Sequence, residues 1–331
     1  MRTAVIGAGG WGTAISILLA KKGLSVRLWV REEEVWEELR RDRVNAAFLP
    51  GFVLPAGVTF HRRLEEAAAD SEVLFLAVPS RFCRLLYKDI APFLSPLSIA
   101  VSLTKGIEET SLLRMSELME ETFLRERKPK VAVLSGPSFS REVAAGLPTA
   151  VVTASRDPQT AQAVQHLVSG PTFRAYTSSD VIGVEIAGAV KNTIAIAAGL
   201  SDAFGFGHNS RAALITRGLA EMTRLGERCG GRRETFAGLA GLGDLILTCT
   251  GELSRNRRLG LELGRGRGLE DILSSTAMVA EGVPTAKSAR RLSEKLEVEM
   301  PIIEQVYRVL YEGQDPRAAL QELMTRKLKE E

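Results

Sequence analysis

The chain has 331 residues, 45% of them hydrophobic and 25% charged, with a formal net charge of +3. These values describe a folded globular protein long enough for two domains and exclude disordered and fibrous classes. So mild a charge balance also argues against a nucleic-acid partner, which calls for a concentrated basic stripe.

The first element is a short apolar strand, Arg2 to Ile6. Arg2 and the apolar run from Thr3 to Ala20 imitate a secretion signal, but Gly7, Gly9, Gly10 and Gly12 break the helix such a signal needs. No later segment has the unbroken apolar length of a membrane span, so stable membrane insertion is not expected. The same glycines, with Trp11, form Gly7-Ala8-Gly9-Gly10-Trp11-Gly12, a G-x-G-x-x-G motif that follows a strand and opens the helix Thr13 to Lys22. In that setting the glycines make a tight turn, admit a pyrophosphate and let helix and strand pack closely, so a dinucleotide site is expected. The second strand, Leu24 to Val30, ends at Arg31 and Glu32. An arginine there pairs with a 2′-phosphate and favours NADPH, while Glu32 keeps NAD open.

A charged helix from Glu32 to about Arg41 follows, then apolar runs of strand length at Val73 to Val78, Ile99 to Leu103, Val131 to Leu134 and Ala150 to Thr153. Continuous apolar strands between helices imply a mostly parallel sheet covered on both faces, the Rossmann-type α/β class. After Ser178 the pattern turns helical, with candidates at Val181 to Leu200, Ser210 to Gly226, Ser254 to Gly264, Pro284 to Leu296 and Ile302 to Leu310. The expected division is a dinucleotide-binding domain over 1–178 and an all-α substrate-binding and catalytic domain over 179–331.

Lys191 is the catalytic candidate. Val184, Gly188, Ala195 and Ala198 share its helix face, so burial should lower its pKa while Asp244 orients it for proton exchange with a carbinol or carbonyl oxygen. Lys105 and the run Gly136-Pro137-Ser138 follow successive strands and should meet in one cleft, since ligands bind at the carboxyl ends of parallel strands. The glycine-rich turn Gly238 to Gly243 presents Asp244, and ten residues further Ser254 caps a helix whose first turn holds Arg255, Asn256, Arg257 and Arg258. Free amides, dipole and cations there suit a phosphate. A capped surface helix with solvated arginines explains the segment equally well. His61, His166 and His208 have no catalytic or metal-binding neighbours in sequence. Cys83, Cys229 and Cys249 are odd in number, far apart and without metal-ligand spacing, so a reducing, cytoplasmic setting is expected and a metal site is not.

Taken together, these motifs resemble the bacterial type of NAD(P)-dependent glycerol-3-phosphate dehydrogenase. The resemblance covers Gly7 to Thr13, Asn45 to Gly51, Ala77 to Ser80, Lys105 to Glu108, Leu134 to Phe139, Gly188 to Asn192, Arg211 to Gly218, Gly238 to Gly251, Ser254 to Arg258 and Val279 to Val283. It implies reversible reduction of dihydroxyacetone phosphate to sn-glycerol 3-phosphate for phospholipid synthesis, with Lys191 exchanging the proton at the C2 oxygen. It assigns Lys105, Gly136, Ser138, Lys191, Asp244, Ser254, Arg255 and Asn256 to the substrate. It assigns Gly10, Trp11, Arg31, Phe48, Lys105, Ser140, Arg255, Val279 and Glu281 to NADP or NAD. Phe48 and Ser140 depart from the tyrosine and alanine common in that family. A homodimer follows by analogy. Two other readings stay open: a β-hydroxyacid dehydrogenase, since guanidinium groups also bind carboxylates, and an NADPH-sensing protein without chemistry.

Overall fold

The computed structural model describes residues 1–123, 128–276 and 279–327. Ten strands run in the order β1 (Thr3–Ile6), β2 (Val26–Trp29), β3 (Val44–Asn45), β4 (Leu49–Val53), β5 (Val58–His61), β6 (Val73–Leu76), β7 (Ile99–Ser102), β8 (Lys130–Ser135), β9 (Thr149–Ala154) and β10 (Phe173–Ser178). Eight of them form one sheet ordered β10-β9-β8-β7-β6-β1-β2-β5, and β3 pairs with β4 in a separate ribbon. From β5 through β8 the sheet is parallel. β9 runs antiparallel to β8, and β10 is parallel to β9. The chain leaves β1 toward β2 and β5, then crosses back to β6, so a crevice opens at the carboxyl ends of β1 and β6.

Side chains alternate across this sheet. Val5, Phe75 and Val101 pack with Ile15 and Leu19 of the Gly10–Lys21 helix. Ala4, Ile6, Leu74 and Ala100 pack on the opposite face with Tyr87 and Ile90 of the Ser80–Ile90 helix. Both faces are thus buried, which is why the central strands read as continuous apolar runs. The edges differ: β5 buries only Val58, and β10 buries only Phe173 and Ala175, with exposed positions between and beyond them. Reading only for continuous runs therefore leaves both edge strands, and the β3–β4 ribbon, unassigned.

Beyond β10 every described element is helical. Asp180 caps the long Val181–Ala203 helix through Gly183 N, and its other oxygen accepts from Arg232 N and Thr235 Oγ1. This helix is apolar nearly all round, as a central core helix must be. It is long and apolar enough to cross a membrane, yet 89% of the relevant window is buried within the protein. The Arg255–Gly264 helix crosses it backbone to backbone. A Cβ on Gly199 would lie 2.0 Å from Arg257 O, and one on Gly260 2.0 Å from Ile196 O.

Glu221, buried in the Gly207–Arg228 helix, accepts from Ile302 N at 2.8 Å and Ile303 N at 3.3 Å and so ties down the start of the Pro301–Tyr311 helix. Burial pushes its carboxyl from 4.5 up to about 7. The folded chain therefore holds this proton where the unfolded chain has lost it. The stability it brings is fully present below pH 4.5 and is lost as pH rises through about 7. Glu221→Gln removes that dependence, so the melting temperature of wild type falls relative to that of the variant from pH 5 to pH 7.5 in paired thermal scans. A constant difference would refute the assignment.

Candidate active site

The glycine turn sits at the crevice. Gly7 has φ +111°, and a Cβ there would lie 2.6 Å from Ala77 O. A Cβ on Gly12 would lie 2.0 Å from Gly7 O, so no larger residue fits. Around a Cβ on Gly9, by contrast, there is nothing within 4 Å. That open cradle over a helix N-terminus is the space a pyrophosphate needs, and the residues present fit a dinucleotide. The Trp11 indole Nε1 is buried without a partner among the described residues. Gly10 lies against the carbonyl of Phe48 and near Ser140 Oγ, which brings those three together at the turn. Asn45 fixes this arrangement: its Nδ2 donates to Ala8 O at 2.7 Å and Thr13 Oγ1 at 2.9 Å, while its Oδ1 accepts from Phe48 N. Arg31 stands exposed at the end of β2, its Nε donating to Glu32 Oε1 at 3.1 Å.

Across the crevice the Lys191 side chain is only 6% exposed and Asp244 only 1%. Lys191 Nζ donates to Asp244 Oδ1 at 2.5 Å and to Thr248 Oγ1 at 2.7 Å. Lys105 Nζ donates to the other Asp244 oxygen at 2.7 Å and to Gly136 O at 3.0 Å, which also accepts from Ser138 Oγ at 2.9 Å. Lys105, Gly136 and Ser138 thus converge as their strand-end positions imply. Burial lowers the Lys191 pKa from 10.5 to about 7 against the opposing charge of Asp244, with the neighbouring Lys105 charge adding to the fall. Gly188 makes room, since a Cβ there would lie 2.8 Å from Ser135 Oγ and 3.6 Å from Lys105 Cγ.

Asp244 does not project from an open turn, as its glycine-rich approach suggests. Leu239–Gly243 winds as a π-helical turn into the Asp244–Thr250 helix. Thr248 is then one turn beyond Asp244 on the same face, where its hydroxyl also meets Asp244 O. Sequence reasoning missed Thr248, although the i, i+4 spacing was available once Asp244 is seen as a helix start.

Ser254 caps the Arg255–Gly264 helix by accepting from Arg257 N. The first amides beyond it, those of Arg255 and Asn256, have no acceptor within the helix. The Asn256 side chain is already engaged: its Nδ2 donates to Asn192 Oδ1, and its Oδ1 accepts from Gly282 N, both at 2.9 Å. An anion at this turn would therefore meet the Asn256 backbone, with the side chain joining the turn to the Lys191 helix. The Arg255 guanidinium reaches solvent, yet surrounding protein lowers its pKa, with Glu281 as the offsetting charge. Arg257 is not a solvated charge: it pairs with Asp202 at 2.7 Å, alongside Arg211. Arg258 is exposed.

Glu281 accepts from Ser80 N at 3.0 Å and Ser80 Oγ at 2.6 Å, joining the helical region to the first turn of the Ser80–Ile90 helix. Burial raises its pKa, and the bonds from Ser80 oppose the rise. Val279 is half-buried in the segment leading to it. Among the described residues, no group of His, Cys, Asp and Glu could hold a metal.

A dinucleotide crevice facing a buried, aspartate-held lysine defines a dehydrogenase of the nicotinamide-dependent class. Residues 2–161 match the family model for the N-terminus of NAD-dependent glycerol-3-phosphate dehydrogenase, and residues 180–321 match that for its C-terminus. The chain belongs to that family. It is 55% identical over 330 residues to a Geobacter sulfurreducens protein named glycerol-3-phosphate dehydrogenase [NAD(P)+], covering 100% of this chain and 98% of that one. It also resembles the crystal structure of glycerol-3-phosphate dehydrogenase from Coxiella burnetii, with TM-score 0.94, 40% identity and coverage of 98% and 99% of the two chains. A D-mandelate dehydrogenase shares the fold alone, at TM-score 0.60 and 13% identity over 95% of this chain and 98% of that one.

Proposed function

We propose that this chain reduces dihydroxyacetone phosphate to sn-glycerol 3-phosphate, and the reverse, with NADPH or NADH. The observation that carries this is Lys191, its pKa near 7, fixed by Asp244 and Thr248 between the glycine turn and the Ser254 cap. When bound, the reduced nicotinamide supplies a hydride to C2. Lys191 donates a proton to the C2 oxygen in that direction and accepts it in the other, a task matched to a group titrating near neutral pH. Asp244 holds the ammonium in line, and Lys105 neutralises the far oxygen of Asp244. Ser254, Arg255 and Asn256 hold the phosphate, and that remote binding places the reacting carbon. Gly136 and Ser138 shape the wall between the lysines and the nicotinamide pocket, while Gly7, Gly9, Gly10, Trp11, Gly12, Phe48 and Ser140 receive the dinucleotide. Val279 and Glu281 close its far side.

Steady-state oxidation of each reduced cofactor tests the reading. Turnover is expected with dihydroxyacetone phosphate and not with three-carbon keto acids; the opposite pattern overturns it in favour of a hydroxyacid dehydrogenase. Arg255→Ala should raise KM for dihydroxyacetone phosphate at least about tenfold, the loss of one charge-assisted contact to an anion. Activity on unphosphorylated dihydroxyacetone should change far less. An equal loss on both substrates would remove Arg255 from the phosphate.

The reading divides the molecule into 1–178, which binds the dinucleotide, and 179–331, which supplies Lys191 and the phosphate site. The cap at Asp180 and the two matched family segments support that division. Three free cysteines suit a cytoplasmic enzyme supplying the phospholipid backbone, which cell fractionation tests. Exposed Phe206, Ala212 and Ala213 support a homodimer through the helical region, which light scattering tests.

A further inference from the structure

The second strand of a Rossmann sheet ends beside the adenosine ribose, and the charge placed there decides between a free 2′-hydroxyl and a 2′-phosphate. Three arginines from separate elements lie around that point. Arg31 follows β2. Arg62 follows β5, which is paired with β2 in the register Trp29↔His61, and its Nη1 donates to Arg31 O at 2.5 Å. Arg81 lies in the first turn of the helix after β6. The Phe82 ring joins two of them: Arg31 Cζ lies 4.9 Å and Arg81 Cζ 4.6 Å from its centroid.

We propose that Arg62 and Arg81 act with Arg31 as a 2′-phosphate subsite, with Phe82 as its stacking platform, and that this cluster selects NADPH over NADH. The proposal rests on the dehydrogenase reading above.

Arginines collected around one point raise the local positive potential, and the neighbouring acids offset only part of it. Glu32 lies 3.0 Å from Arg31 Nη2, and Glu33 is 3.9 Å from Arg62. Arg81 forms no ion pair among the described residues, and Glu281, whose charge it reaches, is already bonded to Ser80. A 2′-phosphate is the anion that satisfies such a set, because it accepts forked bonds from several arginines at once. A free ribose hydroxyl would call instead for an available carboxylate. Glu32 is the residue in place for that, and it is turned onto Arg31 Nε and Nη2. The contacts of Arg31 and Arg81 with the Phe82 ring restrict those side chains before the ligand arrives, which adds to affinity.

The test is calorimetric titration of NADPH and of NADH into the intact protein without substrate, for wild type, Arg81→Ala, Arg62→Ala and Arg81→Lys. Wild type should bind NADPH at least about tenfold more tightly than NADH, and each alanine variant should lose about tenfold in NADPH affinity. NADH affinity should move less than twofold. Arg81→Lys should recover part of the NADPH loss, and the preference should narrow as salt rises from 0.05 to 0.5 M, as charge screening requires. Equal or tighter binding of NADH by wild type would overturn the proposal, as would variants that weaken both nucleotides in parallel. Neither substrate nor turnover enters this measurement, so failure of the dihydroxyacetone phosphate assay and failure of the subsite are told apart.

Discussion

Lys191→Met lowers kcat for dihydroxyacetone phosphate reduction by about 10²–10⁴-fold, the range for removing a positioned general acid, and leaves NADPH affinity unchanged. It also raises the melting temperature. Both effects follow from one fact: the lysine is held where its charge is disfavoured. Its pKa falls from 10.5 to about 7 in the folded chain, so between those values the unfolded chain binds a proton that the folded chain does not. Lys191 therefore costs stability at neutral pH and below, and the cost recedes as pH rises from 7 toward 10.5. Methionine is of similar length and carries no charge, and it removes the cost. Asp244 stays compensated because Lys105 Nζ remains 2.7 Å from its second oxygen. Single-turnover kinetics, calorimetric titration with NADPH and thermal scans at pH 7 make the test. A kcat preserved within a few-fold would end the proton-transfer assignment. A variant that melts well below wild type would show instead that the lysine is structural.

What the sequence makes legible follows from how local each signal is. The dinucleotide turn is readable because its glycines, the strand before and the helix after occupy one short run, and their crowding against Ala77 and Gly7 leaves no alternative residue. Lys191 is readable from helical periodicity, since the apolar face is built by its own helix. The Asp244–Lys105 bond is not, because 139 residues separate the partners and only the packing of the two regions brings them together. Arg257 shows the same limit: Asp202, which turns a seeming surface charge into an ion pair, lies 55 residues away. β5 and β10 escaped for another reason. As edge strands they bury few side chains, Val58 in β5 and Phe173 and Ala175 in β10, so a search for unbroken apolar runs passes over them.

The bridging carboxylate makes the sharpest prediction about chemistry. In Asp244→Asn the amide can still accept a hydrogen bond from one lysine, but the negative charge between Lys191 and Lys105 is gone. Burial and the like charge of Lys105 then act on Lys191 unopposed, because Asp244 is the principal influence raising its pKa. The Lys191 pKa must fall below its present value near 7, by about one to two units for the loss of an adjacent opposite charge. Reduction needs the ammonium, so its kcat/KM falls away at lower pH than in wild type. Oxidation needs the free amine, so it reaches its plateau at lower pH as well. Both midpoints move the same way, as they must if one group serves both directions. At pH 7.5 the reduction rate drops about tenfold or more from the protonated fraction alone, and misalignment of the amine adds to that. Profiles of kcat/KM from pH 5.5 to 9 in both directions make the measurement. A carboxylate that only braces the fold would lower both curves and leave their midpoints near 7, and that outcome would separate Asp244 from the proton on Lys191.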